Sequence, residues 1–371
     1  MAVSNLGTLA VYLTADTKGF NNALRSANQN LANFSSKMKL AVTGGLTAMD
    51  GGLTAVFYKS VKFNEEMTKS LAIMSGVSSS MRKELEATAK TIATQSIFSS
   101  AELAQGYFYL FSAGKSVAQS QKLLGDVASF AQAGQFDLAT ATTLLADSQS
   151  ALGLSSTNLI QDQRNLIRVS DVLVKANTIA NANVMQFSQA LTNDAAAAMR
   201  AFGVQLEEGV AVLAAYADQG LKAQEAGASL GRLLRLIIPA ANENGQAFKN
   251  LGINVFNSEG NLRRISDVIA DMERAFTGMS VSQKAAALES LGFEKKMQGV
   301  IFPLIGASAR IAEYEKQLRA AGGTTAEVAN NQLNSLTAAF KIFMANVTNA
   351  VSSSLGFGKG IEYLTGVLKN L

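Results

Sequence analysis

Histidine and cysteine are both absent from this chain of 371 residues. Without cysteine there is no disulfide bond and no thiol chemistry. Without histidine the chain lacks the commonest general base and the commonest ligand of transition metals. These absences exclude zinc amidases and cysteine–histidine peptidases. We therefore expect no catalytic residue, no metal site and no cofactor.

Charged residues and prolines are also scarce. Only 16% of the residues are charged and 48% are hydrophobic, whereas about a quarter are charged in an average soluble domain. A helical surface with so little charge suits burial in an assembly better than life as a free monomer. The 2 prolines leave helices almost uninterrupted. The net charge of +4 is scattered along the chain, so no specific nucleic-acid partner is expected.

Residues that typically start or end helices recur through most of the chain. Ser99 and Glu102 have the spacing of a capping box, in which two residues cap each other's backbone N–H groups. Glycine then follows at the expected end of most helices. The same box spacing occurs at Ser116 and Gln119, at Asn183 and Gln186, and at Ser280 and Gln283. We predict a mainly α fold, with a bundle-like core of many helices that are broken at glycine.

The sequence predicts where three particular helices end or begin. Gly134 is expected to end the helix that follows Ser116. Pro239 is expected to stop the helix that begins near residue 224. Thr324 and Glu327 have the spacing of a local cap for a last long helix.

Two short segments are predicted to form β structure. Residues 9–13 alternate apolar and polar side chains, which is typical of a short strand. Residues 253–256 are rich in β-formers, and Asn257 to Gly260 has the composition of a turn. A small hairpin near residues 253–262 is therefore expected.

The chain is longer than the size at which one hydrophobic core usually keeps growing. We expect three parts. Residues 1–62 hold the strand, a helix and a Gly-rich apolar segment. Residues 63–321 form the helical core. Residues 322–371 begin with a Gly-Gly linker and form a long C-terminal helix and tail.

The apolar stretch from Leu40 to Tyr58 is the best candidate for a membrane segment. A spanning helix needs about 20 mostly apolar residues, and Asp50 at its centre would cost about 3 kcal/mol in a bilayer. The glycines around Asp50 favour a flexible helical segment with hinges. Insertion of this segment into a membrane remains an alternative.

Adjacent carboxylates at Glu207 and Glu208 form a conspicuous acidic pair. Neighbouring residues on a helix point about 100° apart, so the two do not converge on one reacting atom. Because both fall in the first turn of a predicted helix, we expect them to interact favourably with its N-terminus. A glycosidase built on two distant carboxylates remains an alternative, since the sequence singles out no pair.

The segment from Asp171 to Pro239 carries the most informative pattern. One helix ends in Gly-Val, the next ends in Ala-x-x-Gly, and a third contains Ala-Gly-x-x-Leu with an arginine before a proline. The residues that carry this pattern are Gly203, Gly220, Gly227, Arg232 and Pro239. In this order they resemble the core of phage tail tape-measure proteins.

The resemblance continues beyond Pro239. Gly252 lies in a Leu-Gly-hydrophobic segment, and Gly260 ends a turn that the family also has. Asn257 stands where the family usually has Asp, so the resemblance implies no metal at this turn. The similarity covers roughly residues 1–355, and family members are usually longer. Without a sustained coiled coil, a compact core is favoured over a rod.

The resemblance implies a structural component of a phage tail that is not an enzyme. Such a protein assembles in the tail lumen or tip, helps to set tail length and leaves ahead of the DNA. The implied partners are other copies of itself, the tail tube, the tail-assembly chaperone, the baseplate or tip proteins and the host membrane. The implied locations are the virion tail and, during assembly, the host cytoplasm. Two alternatives stay open: a membrane-active protein that aids DNA passage through the host envelope and, less favoured, a cell-wall hydrolase.

Overall fold

The structure is a computed structural model that describes residues 50–334 and isolated positions between 338 and 349. At residues 50–57 and 193 only the backbone is described. The predicted strand at residues 9–13 lies outside the described residues, as does most of the candidate membrane segment. The tail after residue 349 also lies outside them.

The described part of the chain is built from helices joined by short turns, which confirms the prediction of a mainly α fold. The helices are α1 (Asp50–Ala72), α2 (Ser79–Ala93), α3 (Ser100–Ser112), α4 (Val117–Gly134), α5 (Leu138–Ala151), α6 (Leu159–Ile179), α7 (Val184–Ala190), α8 (Ala196–Phe202), α9 (Leu206–Asp218), α10 (Ala223–Glu243), α11 (Gly245–Asn250), α12 (Ile265–Ala275), α13 (Val281–Ser290), α14 (Lys295–Ile301), α15 (Ser308–Arg319) and α16 (Thr324–Leu333). A π-helical turn (Leu191–Ala195) joins α7 to α8, and a 3₁₀ turn (Phe302–Leu304) follows α14.

The described residues divide into two compact units. One lies within Met1–Ala128 and Asn330–Leu371, and the other comprises Ser129–Ala329. In the first unit, α1 packs along α3, and α3 also contacts α2. Tyr107 is fully buried there, and its hydroxyl donates a hydrogen bond to the Leu85 carbonyl oxygen at 3.0 Å. A buried hydroxyl that is paired in this way avoids the penalty of an unsatisfied polar group.

Helix α9 forms the centre of the second unit. Every residue from Leu206 to Ala217 is buried, and α6, α10, α12 and α15 all pack against this helix. Full burial of each Val or Leu side chain contributes about 1.5–3 kcal/mol. The Tyr216 hydroxyl donates to the Val300 carbonyl oxygen at 2.7 Å and so ties α9 to α14. Beyond its acidic first turn, α9 is apolar on all sides, which suits it to this central position.

The predicted capping boxes are present where the spacing indicated them. Ser99 and Glu102 cap each other's backbone N–H groups at the start of α3. At the start of α4, the Ser116 N–H group donates to Gln119 Oε1 at 2.9 Å, and Gln119 N–H donates to Ser116 Oγ at 3.3 Å. The boxes at residues 183–186 and 280–283 have the same arrangement. Capping boxes are visible in sequence because they are formed by residues three apart.

Helix α4 ends at Gly134 as expected, but this glycine does not take the left-handed conformation. That conformation falls to Gln135, whose φ is +59°. A Cβ atom at Gly134 would lie 2.1 Å from Cε1 of Phe136. The Phe136 ring also meets the Phe130 ring edge-on, with 5.2 Å between centroids. Gly134 is therefore needed to make room for a ring.

The expectation that Pro239 stops its helix is wrong. Helix α10 continues through Pro239 to Glu243. A proline in a helix interior removes one backbone hydrogen bond, but Ile237 and Ala240 on either side are buried. Burial of apolar residues beyond the proline favours continuation of the helix, while Pro239 itself is exposed.

The predicted hairpin near residues 253–262 is reduced to one antiparallel bridge between Phe256 and Leu262. No strand is formed elsewhere in residues 50–334. The turn itself is present: Asn257 Oδ1 accepts hydrogen bonds from the N–H groups of Glu259 and Asn261, at 3.0 and 2.9 Å. An isolated pair of such short segments has too few ladder hydrogen bonds to form a sheet.

Candidate functional site

The segment that carries the sequence pattern contains one irregular turn. Residues Leu191–Ala195 form a π-helical turn between α7 and α8. This turn and α7 pack against α10. π-helical turns are rare and frequently mark functional positions. The crossing of this turn with α10 is therefore the first candidate site.

Gly227 allows α10 to approach α7 very closely. A Cβ atom at Gly227 would lie 2.1 Å from the carbonyl oxygen of Ala190 and 2.8 Å from its carbonyl carbon. Such distances are far inside van der Waals contact, and backbone atoms cannot move aside as a flexible side chain can. Any larger residue at Gly227 must push the two helices apart.

An ion pair closes the same crossing. Arg235 on α10 binds Asp194 in the π-helical turn through two parallel hydrogen bonds, from Nη1 to Oδ1 at 2.9 Å and from Nη2 to Oδ2. Gly231 lies against the pair, since a Cβ there would be 2.6 Å from Asp194 Oδ2. The hydrogen bonds from Arg235, with the charges of Arg235 and Arg232, hold the pKa of Asp194 below its usual range.

The structure brings Gly227 and Arg232 of the sequence pattern to this crossing. The other glycines of the pattern lie in turns, and all have positive φ. Gly203 (+72°) and Gly220 (+90°) follow α8 and α9. Gly252 (+67°) follows α11, and Gly260 (+81°) lies in the turn after Phe256. Residues with a side chain rarely adopt this backbone conformation, which explains why glycine is found at helix ends and in tight turns.

A cluster of buried glutamates and partly exposed arginines between helices is the second candidate site. Glu207 on α9 accepts two hydrogen bonds from Arg168 on α6, at 2.7 and 2.6 Å. Glu315 on α15 accepts hydrogen bonds from Arg264, just before α12, and from Arg319. The two glutamates are only 5% and 2% exposed. Their charges are thus compensated inside the unit, as a buried charge requires.

Glu208 extends this cluster to the start of α12, where its Oε1 atom accepts a hydrogen bond from the Ile265 N–H group at 2.7 Å. Burial raises the pKa of Glu208; the bond from Ile265 opposes this rise, and the charge of Glu315 adds to it. Burial also acts to raise the pKa of Glu207, but the hydrogen bonds and charge of Arg168 outweigh it and lower that pKa. The two adjacent carboxylates therefore have opposite shifts.

Several helices of the second unit begin at residues whose own side chains do not cap them, and α12 and α15 are two of these. Glu208 supplies the missing acceptor at the start of α12. Glu273 on α12 does the same for α15, because it accepts hydrogen bonds from the N–H groups of Gly306 and Ser308, at 2.7 and 2.9 Å. A carboxylate at a helix N-terminus satisfies free N–H groups and interacts favourably with the helix dipole. Sequence reasoning missed these contacts, since each partner lies 33 to 57 positions away.

Helix α16 is capped from a still more distant residue. Asp171 on α6 accepts hydrogen bonds from the N–H groups of Gly323 and Thr325, at 2.8 and 2.9 Å. The spacing of Thr324 and Glu327 predicts a local cap, but the Thr324 hydroxyl instead donates to a preceding carbonyl oxygen. The one signal in the sequence is that Asp171 directly precedes the apolar residues 172–174 of α6.

These carboxylates hold helices in place by capping them or by binding arginines. Within residues 50–334, no three acidic side chains are grouped as a metal site would need.

The candidate membrane segment is only partly described. Asp50 begins α1, Tyr58 is 66% exposed on that helix, and Leu40 lies outside the described residues. Among the described helices, none has the length and apolarity that crossing a bilayer requires.

Comparison with known proteins identifies the family. A model of the phage-related minor tail protein family matches residues 86–292, which is more than half of the chain. The tape measure protein of Pneumococcus phage Dp-1 is 24% identical over 346 residues, or 90% of this chain and 29% of that protein. The probable tape measure protein of Escherichia phage P2 is 24% identical over 211 residues, or 56% of this chain and 26% of that protein.

The chain spans less than a third of the length of either relative. No solved structure matches it. The family match includes the crossing at Gly227 and both Glu207 and Glu208. The resemblance to tape-measure proteins that the sequence pattern indicated is confirmed. The chain belongs to the family of phage-related minor tail proteins.

Proposed function

We propose that this chain is the compact, non-enzymatic core of a tape-measure protein and serves as a structural component of a phage tail. The observation that carries the proposal is the use of its buried carboxylates. Glu207, Glu208 and Glu315 each hold one helix against another through a cap or an ion pair. Side chains used in this way stabilise a scaffold.

The composition supports a place inside an assembly. The chain has few charges for its length, and a weakly charged helical surface is better suited to contact with neighbours than to free solution. The partners that we propose are other copies of the chain, the tail tube, the tail-assembly chaperone and the baseplate or tip proteins. The proposed location is the virion tail, with the host cytoplasm as the place of assembly.

A length-setting role is the finer part of the proposal. The relative from phage Dp-1 is a tape measure protein by name and is similar over 90% of this chain. We propose that this chain contributes to the length of the tail and leaves it ahead of the DNA. Copies that pack around one another through helix faces would provide the necessary contacts.

The experiment is electron microscopy of tails from phage with an in-frame deletion of residues 63–321. We expect few or no complete tails, or tails of altered length. A phage with the single change Gly299→Ala serves as the control, because a Cβ at Gly299 meets no atom within 4 Å. Mass spectrometry of purified control virions should detect the chain.

Two outcomes would contradict the proposal in different ways. Deletion phage with tails of normal number and length would exclude the length-setting role. Absence of the chain from control virions would exclude a structural role in the mature tail. The non-enzymatic part is tested separately by zymography on peptidoglycan, where a clear lytic band from the purified chain would overturn it.

A further inference from the structure

Two consecutive glycines, Gly322 and Gly323, join α15 to α16. Gly323 has a φ of +84°, and a Cβ atom at either glycine would meet no atom within 4 Å. Both residues are exposed. A pair of glycines with open space around it leaves the backbone free to change direction at low cost. This linker has the properties of a hinge.

Polar groups hold the far side of this hinge. Asp171 accepts hydrogen bonds from the N–H group of Gly323, at the end of the hinge, and from that of Thr325 in the first turn of α16. The hydroxyl groups of Ser170 and Thr325 lie 2.7 Å apart and share a hydrogen bond. One turn later, Gln132 Nε2 donates to the Ala329 carbonyl oxygen at 2.5 Å. All these partners belong to the unit Ser129–Ala329.

Apolar burial contributes little to the same attachment. Thr325 and Ala329 are the buried residues among the described side chains of α16. Helix α15, which precedes the hinge, buries the larger side chains Ile311 and Leu318 in addition to the ion-paired Glu315. Apolar area removed from water is the main source of helix attachment. The start of α16 therefore depends on its polar contacts far more than α15 does.

We propose that residues 324–329 form a releasable strap, with its hinge at Gly322–Gly323 and its latch at Ser170 and Asp171. The strap opens while the rest of the unit Ser129–Ala329 stays folded. Opening exchanges the two backbone hydrogen bonds on Asp171 for bonds to water, and it changes the direction in which the chain leaves the unit. This device goes beyond the proposed tail role and does not depend on it.

A disulfide across the latch provides the first test. Because the chain has no cysteine, the double variant Ser170→Cys with Thr325→Cys creates a single possible bridge within one chain. Hydrogen–deuterium exchange of residues 324–333 in the full-length protein should be at least about tenfold faster than that of α9 before locking. Oxidation should slow exchange of the strap by about tenfold or more and leave α9 unchanged. Each single-cysteine variant is the matched control and should show no effect of oxidation.

Removal of the latch carboxylate provides the second test. Asp171→Ala should speed exchange of residues 324–333 by about tenfold, since a lost cap shifts an opening equilibrium by that order. Asp171→Asn retains one acceptor oxygen and should have a smaller effect. Circular dichroism establishes whether each variant is folded, and the disulfide test does not depend on either of them.

Two results would overturn the strap. In the first, wild-type residues 324–333 exchange only as slowly as α9, which means that they open only when the whole unit unfolds. In the second, oxidation of the double-cysteine variant leaves exchange of these residues unchanged. Equal acceleration of the strap and α9 in Asp171→Ala would count against it as well, because the latch would then support the whole unit.

Discussion

Asp194 and Arg235 form an ion pair across the crossing of the π-helical turn with α10, at the point where Gly231 leaves room for both side chains. The pair is bidentate, which is the stronger geometry for arginine and a carboxylate. Its side chains are 32% and 47% exposed, however, so water screens their attraction. The close approach at Gly227 is therefore expected to matter more for stability than the charge pair.

A double-mutant cycle measures the pair directly. Asp194→Ala, Arg235→Ala and the double variant should give a coupling energy of about 0.5–1 kcal/mol in urea unfolding. The coupling should shrink in 1 M salt, because partly exposed charges are screened. A coupling near zero at low salt would show that the pair does not stabilise the crossing.

Substitution of Gly227 by alanine should be costly. The new Cβ would meet the Ala190 carbonyl group at 2.1 Å, so α7 and α10 must separate. We expect the free energy of unfolding to fall by about 1–3 kcal/mol, as in other overpacked cores. Urea titration followed by circular dichroism provides the measurement.

Gly299→Ala is the matched control for Gly227→Ala. Gly299 lies within α14 with no atom near its missing Cβ, so alanine gains helix propensity without a clash. We expect the free energy of unfolding to rise by about 0.5–1 kcal/mol. Equal effects of the two substitutions would show that the crossing tolerates a side chain.

Glu208→Gln should have a pH-dependent effect with a defined sign. The pKa of Glu208 is raised in the folded chain above its ordinary value of about 4.5. The folded state therefore binds the proton more tightly than the unfolded state. Wild-type stability falls as the pH rises from the unfolded pKa through the folded pKa of Glu208. Glutamine retains an acceptor oxygen for Ile265 but carries no charge. We expect the variant to gain stability relative to the wild type as the pH rises from 4 to 7.

Glu207→Gln should show the opposite dependence and serves as the companion variant. The pKa of Glu207 is lowered, chiefly because Arg168 outweighs burial. Its stabilising effect is present above the unfolded pKa and is lost as the pH falls through the folded pKa. At pH 7 the variant should lose about 1–2 kcal/mol, since Arg168 is partly exposed. The free energy of unfolding of both variants, measured from pH 3 to 7, provides the test. If it changed with pH in the same way in both variants, the opposite pKa shifts of Glu207 and Glu208 would be refuted.

Pro239→Ala tests the continuity of α10. Alanine restores an N–H group inside a helix in which Pro239 is exposed, and no buried contact is lost. We expect the free energy of unfolding to rise by about 1–2 kcal/mol, because proline costs more in a helix interior than it gains from a restricted unfolded chain. A decrease in stability would indicate that the proline bends α10 into a shape that its neighbours need.

Local signals account for what could be predicted. Ser99 with Glu102 and glycines such as Gly203 mark helix ends because capping and positive φ involve residues within a few positions of each other. The resemblance to tape-measure proteins rests on the same kind of helix-end residues, which occur in a particular order. The division of the chain at residues 62 and 321 stays a prediction.

The predictions from local sequence were wrong where the tertiary structure opposed a local preference. Pro239 has the local character of a helix stop, but the buried Ile237 and Ala240 carry α10 past it. The β-formers near residue 255 favour a strand, but within residues 50–334 no further strand extends the single bridge to Leu262. Propensity is a weak force beside packing, and the tertiary structure overrides it.

The amino-acid sequence by itself determined that this protein is helical, where most of its helices begin and end, and that it has no histidine or cysteine for catalysis. These properties depend on composition and on interactions within a few residues. The tertiary structure alone decided the partners of Asp171, Glu208 and Glu273, and the approach of Gly227 to Ala190. Each of these contacts joins residues that are 33 or more positions apart. Such pairs are set by the folding of the whole unit, because burial of a charge or loss of a Cβ is favourable only when a particular neighbour is present.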